Sequence, residues 1–370
     1  METTSIEKQI KDIEDEIFKT QKNKATEHHI GKLKAKLAQL RDTLEKRKSS
    51  GAKGKGFAVK KSGDATIGII GFPNIGKSTL LNQLTDAKSR VGDYEFTTLE
   101  TIPGMMKYNG ADIQLLDLPG LITGAAQGKG RGREILSAIR NVEMILLMID
   151  GQHPEHLNLM ENELYKASLR INQKKPDVVV AKRGQGGIIV NTTTKLTHLN
   201  ENVIKAISSE YVINADITIR EDISEDQLID VFMENRVYVP ALVIINKKDL
   251  MSGQELQTKL ENVKQKGWNV LAISARDCAG LDDLRRMIFI KLNLIRVYMK
   301  PVGKQVDYNE PLILKNGDKV DDACKKLHRD FKRKFRYASI SGSSVKHAVQ
   351  KVGLDHVLKD GDVLTIVTYK

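Results

Sequence analysis

Apolar residues recur at two different periods along the chain, and the change of period divides it. Ile6, Ile10, Ile13 and Ile17 are four and three residues apart, as are Ile30, Leu33, Leu37, Leu40 and Leu44. Each set is one apolar stripe on a helix, so the break at 22–29 predicts an antiparallel αα-hairpin whose stripes meet. From Ala65 the pattern becomes short, unbroken apolar runs at 67–70, 113–116, 144–149, 240–245 and 270–273. Such runs are strands buried on both faces, which predicts an α/β fold around a parallel sheet. About ninety residues separate the runs at 144–149 and 240–245, far more than one helical crossover needs. A folded insert is therefore expected at about 172–235, a small α+β module with strands at 178–180 and 187–190 and helices at 200–210 and 225–234. From 297 a third unit begins. Strands at 311–314 and 363–367 flank a helix at 320–335 with the stripe Val320, Cys324, Leu327 and Phe331, which suits a compact β-grasp domain. The expected plan is a basic hairpin and linker at 1–61, a nucleotide domain at 62–296 interrupted by the insert, and a last domain at 297–370.

The candidate chemistry sits at the ends of the predicted strands. Gly71-Phe72-Pro73-Asn74-Ile75-Gly76-Lys77-Ser78-Thr79 follows the first run and opens into a helix-like stretch. Strand, glycine-bearing loop and helix N-terminus in this order form a phosphate cradle. The glycines let successive N–H groups turn inward, and the helix dipole favours an anion. Lys77 adds a positive charge for the β- and γ-phosphates, and the Ser78 hydroxyl is a ligand for Mg²⁺. Downstream, the stretch 93–99 carries Phe96, Thr97 and Thr98, and Thr98 can ligate Mg²⁺ while a γ-phosphate is present. The next run ends in Asp117-Leu118-Pro119-Gly120. There Asp117 can hold Mg²⁺ through water, and the Gly120 N–H can sense the γ-phosphate.

The strand at 240–245 leads into Asn246-Lys247-Lys248-Asp249. The Asp249 carboxylate can accept two hydrogen bonds from guanine, from N1–H and the exocyclic amine. Adenine offers neither donor, which argues against an ATP-dependent enzyme such as a kinase. Asn246 is placed to tie back to the phosphate loop, and the Lys247 stem to lie on the base face. Ser274-Ala275-Arg276 follow the last run, with backbone N–H groups that can meet guanine O6. Gly124, Gly128, Gly130 and Gly132 suit a loop that reorders between nucleotide states.

Charge and composition then narrow the setting. The formal charge of +12 fits either anionic partners beyond one nucleotide or a merely soluble basic protein. Basic residues gather on the second helix of the hairpin, around Lys174, Lys175, Lys182 and Arg183, and at Lys325, Lys326, Arg329, Lys332, Arg333 and Lys334. Contact with RNA and a solvated face are both open readings for the first two groups; RNA or ribosome contact is favoured for the last. Cys278 and Cys324 have no metal-site spacing and read as reduced thiols of a cytosolic protein. No apolar run approaches the roughly 20 residues that cross a bilayer, and the acidic N-terminus is unlike a signal peptide, so a cytoplasmic location without membrane partners is expected.

With these motifs the chain resembles the Obg-like GTPases, specifically the developmentally regulated GTP-binding protein (DRG) family. The resemblance is carried by 71–85, 94–104, 115–136, the NKKD tetrapeptide and 341–367, and covers essentially the whole length. It implies an N-terminal helical hairpin, a Ras-like P-loop GTPase core, an inserted ribosomal-protein-like α+β module and a C-terminal TGS domain of ubiquitin-like β-grasp type. It also implies GTP hydrolysis with Mg²⁺, association with ribosomes or structured RNA in translation, and, in eukaryotes, a zinc-finger regulatory partner that docks on the TGS domain. Where Ras-like enzymes place a water-orienting glutamine, this chain has Leu121, so slow intrinsic hydrolysis is expected. Asn74 either coordinates a potassium ion beside the phosphates, as in related GTPases, or only satisfies the loop backbone. Two functions remain in competition: a GTP-hydrolysing switch on the ribosome, and a ribosome- or RNA-binding module regulated by GTP with negligible turnover.

Overall fold

The computed structural model describes residues 3–21, 23–50, 62–85, 103–118, 139 and 141–369 of the chain. They fall into two compact units, Met1–Gly56 with Ser168–Tyr238, and Phe57–Ala167 with Val239–Lys370. In chain order the described strands are β1 (Ala65–Gly71), β2 (Pro103–Tyr108), β3 (Ala111–Asp117), β4 (Met144–Asp150), β5 (Leu169–Ile171), β6 (Val178–Lys182), β7 (Ile188–Thr192) and β8 (Ala215–Ile219). They continue as β9 (Val237–Val239), β10 (Ala241–Asn246), β11 (Val270–Ala272), β12 (Leu294–Met299), β13 (Asp307–Lys315), β14 (Phe335–Ser341), β15 (Gln350–Val352) and β16 (Val363–Thr368). No helix of the described residues is long and apolar enough to cross a membrane.

The second unit is built on a six-stranded sheet in the order β11-β10-β4-β1-β3-β2. The five apolar runs become its five parallel strands, and β2 adds an antiparallel edge against β3. Ile67, Ile69, Leu115, Leu146 and Ile244 are fully buried, as runs with no polar alternation require. Because the strands are parallel, their C-terminal ends share one edge. Gly71 ends β1, Asp117 ends β3, Asp150 ends β4 and Asn246 ends β10. The order reverses beside β1, so this edge carries the crevice where open α/β sheets take their ligands.

The same unit holds a five-stranded mixed sheet, β13-β12-β16-β14-β15. Its helix Val320–Leu327 buries Val320, Ala323 and Cys324. Ile313 of this sheet belongs to the core that also holds Ile67 and Leu115, so the two sheets share buried surface. The expected single helix over 320–335 is broken. His328 is extended, and its ring nitrogen caps a second helix, Arg329–Arg333. The basic residues of this segment are largely matched by local acids. Lys325 meets Asp321 (2.7 Å) and Asp322 (3.0 Å), Lys332 meets Asp321 (2.9 Å), and Arg333 meets Asp330 (3.3 Å). Lys326 reaches Asp64 (2.6 Å) and the Ile313 carbonyl (2.6 Å), holding the two sheets together. Lys325, Lys332 and Arg333 of the face favoured above for RNA contact thus carry acidic partners while staying exposed.

In the first unit the helices Thr3–Lys19 and Glu27–Ser50 form the expected hairpin. The inserted module has the sheet β6-β8-β7, with the helices Glu201–Ser208 and Glu225–Met233. β8, which the pattern analysis missed, is the central strand; it is antiparallel to β6 and parallel to β7. Hairpin and insert, expected as separate units, share one core. Ala35 is fully buried with Val203, Ile204 and Ile207, and a Cβ on Gly31 would lie 3.1 Å from Ile207 Cγ1. Small residues at 31, 35 and 38 give the second helix a further apolar face that a search for large side chains overlooks. Polar links follow the same seam: Gln39 donates to the Glu210 carbonyl (2.6 Å), Tyr211 to the Ala35 carbonyl (3.2 Å), and Lys34 to Glu225 (2.8 Å).

Where the chain enters and leaves the insert, Asp230 is buried between two arginines. Arg170 donates to both of its carboxylate oxygens, one bond at 2.7 Å, and Arg236 Nε donates at 2.7 Å. Arg236 also reaches Ser168 Oγ (2.7 Å). Replacing Asp230 by Ala would leave two guanidinium groups without their counter-charge. We expect a loss of about 3–5 kcal/mol in the unfolding of this unit, read as faster hydrogen exchange across 169–171 and 237–239 in D230A.

Candidate nucleotide site

The phosphate loop joins β1 to the helix Lys77–Leu84. Ile75 turns inward and is 3% exposed, which anchors the loop, while Pro73, Asn74, Ser78 and Thr79 face outward. Gly71 is obligatory, since an added Cβ would lie 2.3 Å from Ile75 Cδ1 and 2.6 Å from the Met148 carbonyl. Gly76 has φ 94°, and a Cβ there would meet Asn246 Nδ2 at 2.6 Å. Asn74 also has a left-handed backbone, φ 62°, which asparagine tolerates better than most residues.

Asn246 fills the space beside Gly76. Its Nδ2 donates to the Ile75 carbonyl (2.7 Å), and its Oδ1 accepts from the Ala275 N–H (3.0 Å). One side chain, 3% exposed, therefore ties the phosphate loop to the loop after β11. The Ala275 N–H, expected to face a base, is used in this link, and the Ser274 N–H is bonded to the Ala279 carbonyl (3.0 Å). Of the three, the Arg276 N–H remains for a base oxygen. The Asp249 carboxylate is presented nearby and meets the exposed Arg276 guanidinium at 3.0 Å. Lys247 has φ 62°, and its ammonium lies 3.8 Å from Asp150, a strand-end acid whose role the motif search did not single out.

Charge is held under partial burial at the other end of the site. Lys77 Nζ donates to the carbonyls of Gly71 (3.0 Å) and Phe72 (2.9 Å). Burial pushes this ammonium below its ordinary value, and the Asp117 charge offsets part of the effect. Burial likewise pushes the Asp117 carboxyl above the usual carboxylate range, against the pull of Lys77 and a hydrogen bond from Ser78. Asp117 Oδ1 is buried with no hydrogen-bond partner among the described residues. A desolvated, unpartnered carboxylate oxygen beside a hydroxyl fits a hard divalent cation such as Mg²⁺.

Leu118, expected among the nucleotide contacts, is a core residue. It is 2% exposed, its N–H donates to the Ile69 carbonyl (3.1 Å), and only the glycine at 68 leaves room for its side chain. Phe96, Thr97, Thr98, Pro119 and Gly120 lie outside the described residues, as do Leu121 and the glycine-rich stretch 124–133.

Comparison with known proteins agrees in extent with this architecture. A family model described as a 50S ribosome-binding GTPase matches residues 66–183, one for the C-terminal region of the same domain matches 185–294, and a TGS domain matches 295–368. An uncharacterised GTP-binding protein of Methanocaldococcus jannaschii is 52% identical over 363 residues, covering 98% of this chain and 93% of that protein. Ribosome-interacting GTPase 1 of Saccharomyces cerevisiae is 44% identical over 372 residues, 99% of each chain. Human developmentally-regulated GTP-binding protein 2 is 44% identical over 361 residues, 97% of this chain and 98% of that protein. Identity at this level, sustained from the helical hairpin through the TGS domain, makes the chain a member of the developmentally regulated GTP-binding protein family.

Proposed function

We propose that this chain binds GTP, hydrolyses it to GDP and phosphate, and acts on the ribosome in the cytoplasm. The observation that carries the reading is the Asn246 link. Three residues ahead of the Asp249 carboxylate that would read a purine edge, Asn246 ties the phosphate loop to the loop after β11. Lys77 and the inward N–H groups of the loop neutralise charge on the β- and γ-phosphates. Ser78 and Asp117 would hold Mg²⁺, with Thr98 completing the set. Bound there, Mg²⁺ screens the phosphate oxygens against the incoming water. Ribosome association is supported by the yeast relative named a ribosome-interacting GTPase and by the excess of positive charge.

Turnover is where two readings part. Leu121 cannot orient a water, which favours slow intrinsic hydrolysis and leaves a GTP-regulated ribosome-binding module as the second reading. Single-turnover hydrolysis with and without ribosomes separates them. A switch requires strong stimulation, whereas a rate that ribosomes leave unchanged supports the module. For the nucleotide itself, Asp249→Asn should weaken GTP by about 100-fold, the loss of charge-assisted hydrogen bonds to the base, with little effect on ATP. Titration with fluorescent nucleotides measures this, and equal binding of ATP and GTP by the wild type would refute the assignment.

Asn74 is exposed in the phosphate loop. We assign it a potassium ion that adds positive charge beside the phosphates. Hydrolysis should run about tenfold or more faster in potassium than in sodium. Asn74→Gly, which keeps the left-handed backbone, should abolish that difference; identical wild-type rates in the two salts would exclude the role.

A further inference from the structure

A second cluster of ligating side chains lies in the turn after β4, outside the nucleotide contacts. Asp150 Oδ1 accepts from the N–H groups of Gln152 and His153, each at 3.1 Å, which folds the turn back on the strand end. Pro154 then starts the helix Glu155–Lys166. This geometry gathers three side chains. His153 Nδ1 lies 3.0 Å from Glu155 Oε1, and the rings of His153 and His156 are stacked with centroids 4.9 Å apart. One ligand atom from each of His153, Glu155 and His156 lies within 4.8 Å of the others. In addition, His156 Nδ1 is buried with no hydrogen-bond partner among the described residues. The His156 ring is itself stacked on Phe72, the second residue of the phosphate loop, with centroids 3.8 Å apart and planes 20° from parallel.

We propose that His153, Glu155 and His156 bind a divalent transition metal of the zinc class, and that occupancy changes how tightly the phosphate loop holds its nucleotide through the His156–Phe72 stack. The bland reading is a helix N-terminus that happens to carry two surface histidines and an acid. A plain surface histidine would satisfy both ring nitrogens with water, which the buried Nδ1 of His156 does not do. Two imidazoles with one carboxylate suit zinc, copper or nickel, whereas Mg²⁺ and Ca²⁺ take oxygen-only sets. Ligands of a tetrahedral zinc stand roughly 3.3 Å apart, so His153 and Glu155, both exposed, need only small rotations to close on the ion. Water completes the coordination. A bound ion fixes the His156 ring, and with it the face against which Phe72 rests. The coupling half of the proposal rests on the GTP reading above; the metal half does not.

The test uses untagged full-length protein stripped with a chelator and titrated calorimetrically with zinc chloride, without nucleotide. One equivalent of zinc is expected to bind. His153→Ala and His156→Ala should each weaken it at least about tenfold, while Cys278→Ser, a control for the exposed thiol, should not. Absence of zinc binding in the wild type, or unchanged binding in both histidine variants, overturns the site. The second readout is release of a fluorescent GDP. Zinc should change the release rate at least about twofold in the wild type and leave it unchanged in His153→Ala, which does not touch Phe72. Stoichiometric zinc binding with an unaltered release rate overturns the coupling. Because zinc uptake is measured without nucleotide, a failure to bind GDP is told apart from a failure to bind metal.

Discussion

The site depends on one planar amide. Asn246 has a donor and an acceptor on opposite sides of a single group, and both are used on backbone of different loops. Being buried, neither bond can be replaced by water, and each unmet partner would cost about 1–3 kcal/mol. Two further residues follow from this placement. Gly76 must lack a side chain because the amide occupies its space, and Ala275 must present its N–H inward rather than toward a ligand. The spacing between the loop after β1 and the loop after β11 is therefore set by the fold.

The opposite holds for charge. Lys77 and Asp117 are both displaced by burial toward their neutral forms, one downward and one upward. Their mutual attraction offsets only part of that desolvation, and Asp117 Oδ1 has no hydrogen-bond partner among the described residues. Phosphate oxygens beside Lys77 and a divalent cation beside Asp117 would relieve that cost. Binding of this kind stabilises the native state in proportion to ligand occupancy. The Asn246 contacts are therefore met within the fold, while burial weighs against the charges of Lys77 and Asp117.

What the sequence made legible follows from the range of each interaction. The parallel sheet was readable because full burial writes itself as unbroken apolar runs, and the motifs because strand ends are local. Leu118 and Ala275 were misread because their N–H groups are used by Ile69 and Asn246, contacts that no spacing reveals. β8 went unseen since its short alternating pattern, Ala215–Ile219, lies between stronger signals. The basic faces are partly paired for a related reason. Lys326 finds Asp64 and Lys34 finds Glu225 from distant parts of the chain, so a count of cations overstates what is free. Surface pairs of this sort add little stability, but they do decide which charges remain for a partner.

The division of the chain carries the last step. The helical hairpin has two apolar faces, one of large residues used within the hairpin and one of small residues used on the insert. A two-helix hairpin alone buries too little surface to stand against the entropy of ordering it. It therefore completes its core only when Ser168–Tyr238 is present, although the nucleotide domain intervenes in sequence. Closing that unit requires contacts across more than a hundred residues, which are slow to form. The β1 to β4 segment between them makes its own parallel pairings without either partner. The nucleotide core is divided in the same way, since β10 pairs with β4 across the insert, and Asn235 donates to Asp42 at 2.9 Å where hairpin and insert meet.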